Sequence, residues 1–285
     1  MSSRSASTSE GSDLSKGSAG SAGSTVWPAA TGGRVVVVAT PIGNLGDLSP
    51  RAVDALRSSD FIYCEDTRRT LKLLSHSEIT GPRLVAHHRY NEASTTPGAI
   101  ARAKAGATVA VVTDAGTPLV SDPGARLVRA ALAAGIPVET VPGPSAALAA
   151  LVVSGLATDR WCFEGFLPRS GRDRGGRLSA LATEAERAVV IFESPHRLQR
   201  ALDDIAVACG PDRPIAVCRE LTKIHEEIWR TTTGEAAERA RTTKPRGEYV
   251  LVLGPPCGPG KAAGAGRQAP PPSGPWEAPE ARAHD

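Results

Sequence analysis

The sequence predicts an α/β fold in which a doubly wound parallel sheet, over residues 34–156, is followed by a mixed α+β domain, over residues 157–254. Two observations predict it. In the first region short apolar runs alternate with helix-like segments, which is typical of parallel strands joined by crossover helices. In the second region the last strand-like segments lie too close together for crossovers, which indicates antiparallel pairing. The cleft between two such domains is a favoured place for a ligand.

In the first region, the first predicted strand is a continuous apolar run, as expected of a parallel strand that is covered on both faces. The predicted strands of this region are residues 35–39, 61–64, 84–86, 109–112 and 137–141. The first helix is predicted from Ser49 and Pro50, which are the residue types preferred at an N-cap and at the first helical position. Later helices are predicted to begin at Ser94, after Gly124 and at Ser145.

The second region contains further strand-like segments separated by only two or three helices. They are residues 161–166, 188–192, 215–219, 226–232 and 249–253. Both ends of the chain have a different texture. Residues 1–33 are rich in Ser, Gly and Ala and residues 255–285 in Pro and Gly, so both are predicted to be disordered tails.

Composition sets loose bounds on function. The net charge of +3 permits an RNA partner without requiring one. The five cysteines have no paired spacing, which favours neither a disulfide framework nor a metal site and fits a reducing cytoplasm. No apolar run approaches the length of a membrane span, so we expect no membrane association.

Three loops of small residues follow the first, fourth and fifth predicted strands, at residues 40–47, 113–124 and 142–146. Ligands of open α/β sheets bind outside the carboxyl ends of the strands. In the longest loop, Gly116 and Gly124 let the backbone approach a ligand closely, and Asp114 offers an acceptor. Each loop alone is more typical of an ordinary strand-to-helix turn, but together the three loops predict a nucleotide-like ligand. The absence of a GxGxxG loop argues against a standard dinucleotide fold.

Two charged motifs follow the second and third predicted strands. In EDTRRT (65–70), Asp66 or Thr67 caps a helix, yet Arg68 and Arg69 oppose the helix dipole there, which suggests an anionic partner. In HHRYNE (87–92), the two adjacent histidines point opposite ways on a strand. This disfavours a metal site and leaves hydrogen bonding or RNA stacking, or simply the end of a surface strand.

The second region contributes FESPHRL (192–198) and CRELTKIHEEIW (218–229). In the first motif Ser194 and Pro195 suit a helix start, while Glu193 ends a strand that is expected to face the cleft. The second motif crowds charges of both signs into a strand connection, which is as typical of a solvated hairpin as of a site.

With TPIGNLGD (40–47), VTDAGTPLVSDPG (112–124) and VPGPSAA (141–147), these motifs occur in one order over residues 34–254. In this order the chain resembles the ribosomal RNA small subunit methyltransferase I family, of the tetrapyrrole-methylase-like (class III) superfamily. Where that family usually has HxHNE, this chain has Tyr90 in place of the second histidine. The resemblance implies a two-domain fold and a homodimeric, cytoplasmic enzyme that uses S-adenosyl-L-methionine. It implies 2′-O-methylation of a cytidine in the decoding centre of 16S rRNA, within the small ribosomal subunit.

The resemblance also implies which residues contact the cofactor in the cleft. They are Pro41, Asp114, Gly116, Thr117, Ser145, Ala146, Phe192, Leu221 and Tyr249.

A ribose hydroxyl is a weak nucleophile, so methyl transfer to it needs a proton acceptor or a cation that steadies the alkoxide. The candidates are Glu65, Asp66, Glu193 and Lys223, with Glu65 or Glu193 expected at the hydroxyl. RNA contacts are expected from basic and polar side chains of the charged motifs. They are Arg68, Arg69, His88, Asn91 and Arg197, with a basic loop formed by Arg169, Arg172, Arg174 and Arg177.

Two other functions stay open at this point. A small-molecule tetrapyrrole methylase of the same fold would require an apolar cleft in place of the charges of EDTRR and HHRYN. A non-catalytic RNA-binding module would not need three cofactor loops.

Overall fold

The computed structural model describes residues 32–256. The two predicted tails lie almost entirely outside the described residues. Within them the chain forms two five-stranded sheets, one parallel and one mixed, so the predicted fold class is confirmed.

The first sheet is parallel throughout and has the strand order β3-β2-β4-β1-β5. Its strands are β1 (Arg34–Val38), β2 (Phe61–Cys64), β3 (Arg83–Ala86), β4 (Thr108–Val111) and β5 (Val138–Val141). The helices that follow them in turn are α1 (Pro50–Arg57), α2 (Thr67–His76), α3 (Glu92–Lys104), α4 (Ala125–Ala133) and α5 (Ala146–Ser154). Since all strands are parallel, their carboxyl ends share one edge, and the three small-residue loops meet there.

Local chemistry sets where two of these helices begin. Ser49 caps α1 by accepting a hydrogen bond from the backbone N–H of Ala52 at 3.2 Å, as its residue type predicts. The prediction that Ser94 caps α3 is wrong, because the helix begins at Glu92. The Asn91 side chain accepts from the His88 N–H and donates to the Ala86 carbonyl, and this closed turn starts the helix earlier.

The second sheet has the order β6-β7-β10-β8-β9, in which β6 and β7 are parallel and the other pairs antiparallel. Its strands are β6 (Trp161–Phe166), β7 (Ala188–Glu193), β8 (Pro214–Arg219), β9 (Glu227–Thr232) and β10 (Tyr249–Leu253). The remaining helices are α6 (Gly171–Thr183), α7 (Leu198–Cys209) and α8 (Thr233–Thr242).

The predicted basic loop is wrong in its structure, because most of it belongs to α6. Arg174 is buried and bonds the Asp204 carboxylate and the Pro168 carbonyl, both at 2.8 Å. Arg177 pairs with Glu164 at 2.7 Å. Arg174 is therefore part of the core and not an RNA contact.

The packing of α5 brings the two sheets together at the functional edge. Each face of the first sheet is covered by helices, which bury its strands in two apolar clusters. The second sheet packs α6, α7 and α8 on one face, while the other face receives α5, together with Ile42 from the loop after β1. The carboxyl edge of the first sheet thus faces the second sheet across a cleft. Among the helices of residues 32–256, none is both long and apolar enough to cross a membrane.

Candidate active site

A cavity of about 330 Å³ occupies this cleft. One side is formed by the loops after β1, β4 and β5, and the other by the ends of β7 and β10 and by the segment after β8. Eight of the nine residues expected to contact a cofactor line it. They are Asp114, Gly116, Thr117, Ser145, Ala146, Phe192, Leu221 and Tyr249. The ninth, Pro41, is buried and lies outside the lining, where its neighbour Ile42 takes its place.

Backbone and side-chain bonds tie the three small-residue loops to one another. Thr40 and Gly116 exchange backbone hydrogen bonds at 2.9 and 3.0 Å, which joins the loops after β1 and β4. Thr117 donates its hydroxyl to the Pro144 carbonyl at 3.1 Å, which joins the loops after β4 and β5. Gly116 has φ +85°, and a Cβ there would lie 3.3 Å from Ile42 Cγ2. Only glycine takes this conformation without strain and leaves the space open.

The loop after β4 also holds strained residues. Leu119 and Ser121 have φ values of +73° and +65°, which cost an L-residue roughly 1–3 kcal/mol each. Glu92 braces the far end of the loop by accepting hydrogen bonds from the N–H groups of Gly124 and Arg126, at 3.1 and 2.8 Å. Glu92 is the last residue of the HHRYNE motif. Its hydrogen-bond partners lie some thirty residues further along the chain, so the motif by itself does not predict this contact.

Asp114 joins this loop to the loop after β2. Its carboxylate accepts from the Asp66 N–H at 3.0 Å and pairs with Arg69 at 3.4 Å. Burial raises its pKa above the ordinary value, and the Asp66 N–H and the Arg69 charge oppose that rise. Asp66 itself caps α2 through the Arg68 N–H at 2.8 Å, which gives it a structural role.

Asp122 also lines the cavity and was not among the expected site residues. The pKa of Asp122 is raised to about 6, mainly by burial and also by the negative charges of Glu65 and Asp114, while the nearby Thr113 hydroxyl opposes the rise. Its place in an SDPG turn explains the omission, because Asp is common in turns for conformational reasons alone.

Glu65 lies close to Asp114 and Asp122 but is not among the residues that line the cavity. Burial and the Asp114 charge raise the pKa of Glu65, and the charges of His88, Arg69 and Arg89 lower it. Glu65, Asp114 and Asp122 therefore interact electrostatically at the mouth of the cleft. Within residues 32–256 no three His, Cys, Asp or Glu side chains are placed to hold a metal ion.

Glu193 is among the residues that line the cavity, as expected, but its carboxylate is held in an internal ion pair. Glu193 shares its sheet face with Ile191, in the cluster packed under α6–α8, whereas Phe192 packs on the opposite face. Its side chain is fully buried, accepts from the Ser194 N–H at 2.8 Å and pairs with Arg197 at 3.3 Å. Arg197 also donates to the Leu167 carbonyl, so its guanidinium serves this internal contact.

We accordingly expect Glu193→Ala to act on stability before catalysis. Removing one partner of a buried pair leaves the Arg197 charge uncompensated, which costs about 3 kcal/mol in the free energy of unfolding. Urea unfolding of Glu193→Ala measures this loss, with Glu186→Ala, whose pair with Arg160 is exposed, as the matched control. Wild-type stability in Glu193→Ala would contradict the structural role.

Lys223 pairs with two carboxylates of the second domain and does not line the cavity. Its ammonium bonds Glu220 and Glu248 at 2.8 and 2.9 Å. Burial lowers its pKa, but the two hydrogen bonds outweigh burial and raise the pKa overall. Its side chain also crosses Gly43, where a Cβ would lie 2.4 Å from Lys223 Cγ.

The remaining expected RNA contacts follow β2 and β3, at the carboxyl edge of the first sheet. The side chains of Arg68 and Arg69 are 91% and 65% exposed, and Arg69 also lines the cavity. His88 is half-buried, and the Asn91 side chain is occupied by its turn.

Comparison with known proteins places this cleft in context. Residues 34–237 match the family model described as tetrapyrrole (corrin/porphyrin) methylases. The chain is 48% identical over 221 residues to the ribosomal RNA small subunit methyltransferase I of Synechocystis sp., covering 78% of each chain.

Among solved structures, the methyltransferase CobJ superposes with a TM-score of 0.60 at 22% identity, covering 78% of this chain and 94% of that one. A uroporphyrin-III C-methyltransferase from Thermus thermophilus, complexed with S-adenyl homocysteine, superposes with a TM-score of 0.52 at 23% identity. It covers 78% of this chain and 97% of that one.

Proposed function

The chain belongs to the ribosomal RNA small subunit methyltransferase I family, within the tetrapyrrole methylases, and from that membership we propose its reaction and substrate. It transfers a methyl group from S-adenosyl-L-methionine to the ribose 2′-hydroxyl of a cytidine in the decoding centre of 16S rRNA. The observation that carries this proposal is the 48% identity over 221 residues, which spans both sheets. The protein acts in the cytoplasm as a homodimer on the small ribosomal subunit.

The cavity suits the cofactor in shape and chemistry. Phe192, Leu221 and Val250 form an apolar wall that suits a flat ring, and Gly116 leaves backbone groups open to a ligand. Asp114 provides negative charge for a ligand that carries ammonium and sulfonium groups. When bound, the cofactor supplies an electrophilic methyl group on a positively charged sulfur.

The chain's own residues then orient the ribose and take its proton. Asp122 is the best placed acceptor, since it lines the cavity and has a pKa of about 6. Glu65 is the alternative acceptor and lies just outside the lining. Arg68 and Arg69 hold the phosphates that flank the nucleotide, as their exposure and position at the mouth allow.

A small-molecule tetrapyrrole substrate is not favoured. The two solved methyltransferases share the fold at 22–23% identity, and a likeness at that level does not indicate the substrate of this chain. Arg68 and Arg69 make the mouth of the cleft charged, whereas a tetrapyrrole would bind better in an apolar one. A protein that only bound RNA would not need this cavity or the strained loop that lines it.

The proposal predicts cofactor-dependent labelling of small subunits. Purified protein is mixed with tritiated S-adenosyl-L-methionine and small subunits from a strain that lacks this modification, and the RNA is digested to nucleosides. We expect the label in 2′-O-methylcytidine and none with subunits that already carry the methyl group. Label on a base, or transfer to a porphyrinogen and not to RNA, would overturn the proposal.

A further inference from the structure

Tyr90 is an exposed aromatic ring at the edge of the active-site cleft. Its exposed fraction is 86%, although an aromatic ring usually buries most of its surface. The guanidinium of Arg89 lies 5.4 Å from the ring centroid, and the ring of His88 meets it edge to face at 6.2 Å. A cation and two rings thus form one surface, here called the Tyr90 platform (His88, Arg89 and Tyr90).

The loop beneath the platform is firmly held, so the exposure of Tyr90 does not reflect a loose segment. Asn91 closes the turn with two hydrogen bonds, and the backbone N–H of His87 donates to the Cys64 carbonyl at 2.7 Å. The His87 ring is buried, contacts Thr95 Oγ1 at 2.7 Å and packs edge to face on Tyr63. The two neighbouring histidines therefore divide their roles, one anchoring the loop and one extending the platform.

The platform lies beside the reacting groups. It follows β3, which pairs with β2, and β2 leads into Glu65 and the two exposed arginines Arg68 and Arg69. The charges of His88 and Arg89 act on the Glu65 carboxyl, which shows that the platform and the acidic groups of the cleft are close. Arg69 continues from there into the cavity lining.

We propose that the Tyr90 platform stacks on an unpaired RNA base next to the methylated nucleotide, while Arg68 and Arg69 hold the intervening phosphates. Every base has a π-face, and stacking on an aromatic side chain is the common way in which proteins hold single-stranded RNA. Arg89 adds a charge next to the ring, where a phosphate of the same strand passes. This inference rests on the proposed function, because it assumes an RNA strand at the cleft.

The test uses steady-state methylation of unmodified small subunits by the full-length chain. We expect Tyr90→Ala to raise KM for the subunit about 10- to 100-fold, with kcat and the cofactor Kd within about twofold of wild type. Tyr90→Phe keeps the ring and should retain wild-type KM. Leu132→Ala, which removes an exposed apolar side chain from α4, is the matched control and should have no effect.

Salt dependence separates stacking from charge. Arg68→Ala should reduce the slope of log KM against log salt by about one, because it removes one phosphate contact. Tyr90→Ala should leave that slope unchanged while shifting the whole line. Wild-type KM in Tyr90→Ala, or an equal rise in Tyr90→Phe, overturns the stacking role while leaving the proposed function intact. Failure of the wild-type protein to methylate the subunit would overturn the proposed function instead.

Discussion

Asp122→Asn is expected to lower single-turnover methyl transfer by about 100-fold at pH 7.5, while the cofactor Kd stays within a few-fold of wild type. Proton acceptance by a positioned carboxylate contributes roughly 10²–10⁴ to a rate, and Asn keeps the size of Asp without accepting a proton. Because the pKa of Asp122 is raised to about 6, the wild-type rate should fall about tenfold per pH unit below pH 6. In Asp122→Asn this acid limb should disappear.

Glu65→Gln is the matched variant, since Glu65 lies in the same acidic group outside the cavity lining. It should lose less activity than Asp122→Asn. If Asp122→Asn kept the wild-type rate and Glu65→Gln lost it, the acceptor would be Glu65. Single-turnover labelling with saturating enzyme separates this chemistry from RNA binding.

Asp122→Asn is also expected to raise the stability of the folded protein, although it lowers activity. The folded protein raises the pKa of Asp122 from 3.8 to about 6, so ionisation of this group favours the unfolded chain. The resulting loss of stability is absent below about pH 4, grows between about pH 4 and 6, and is complete above pH 6. We therefore expect Asp122→Asn to have a higher Tm than wild type at pH 7.5 and an equal Tm near pH 4, by calorimetry. A residue kept for function at a cost in stability behaves in this way.

Sequence patterns were sufficient to predict most of the strands and helices and the three loops that meet at the cleft. The apolar runs of the first sheet have one stable arrangement, covered on both faces, and parallel strands force their terminal loops to one edge. That is why loops far apart in sequence, around Ile42, Gly116 and Ser145, could be placed in one cavity before any coordinates.

The errors arose where long-range packing decides. Strand alternation predicts that the side chains of Phe192 and Glu193 point to opposite faces of the sheet, but not that the Glu193 carboxylate is buried in a pair with Arg197. The glycines in the first half of α6 lower its helix propensity, and it is held as a helix by Leu181 in the core and by Arg174 bonding Asp204. The raised pKa of Asp122 likewise depends on burial in the folded protein and on the charge of Glu65, which comes from the loop after β2.

Asp114→Ala is expected to weaken cofactor binding about 10- to 100-fold in calorimetric titration. Asp114 lines the cavity. It also joins the loop after β4 to the loop after β2, because its carboxylate accepts from the Asp66 N–H at 3.0 Å and pairs with Arg69 at 3.4 Å. Its loss removes an acceptor from the cavity and frees Arg69, and hydrogen bonds to charged groups contribute about 1.5–3 kcal/mol each. The fold should survive, because its core clusters lie elsewhere.

Two further variants make this prediction sharp. Asp114→Asn can still accept from Asp66 but loses the charge, so an affinity between wild type and Ala would divide the effect into a hydrogen bond and an electrostatic part. Asp54→Ala, which removes a half-buried α1 carboxylate paired with Arg57 at 3.3 Å, controls for charge alone and should bind normally. Normal binding by Asp114→Ala would move the cofactor away from the loop after β4. Weak binding with an unchanged Tm would assign Asp114 to the ligand, because a purely structural carboxylate would lower both.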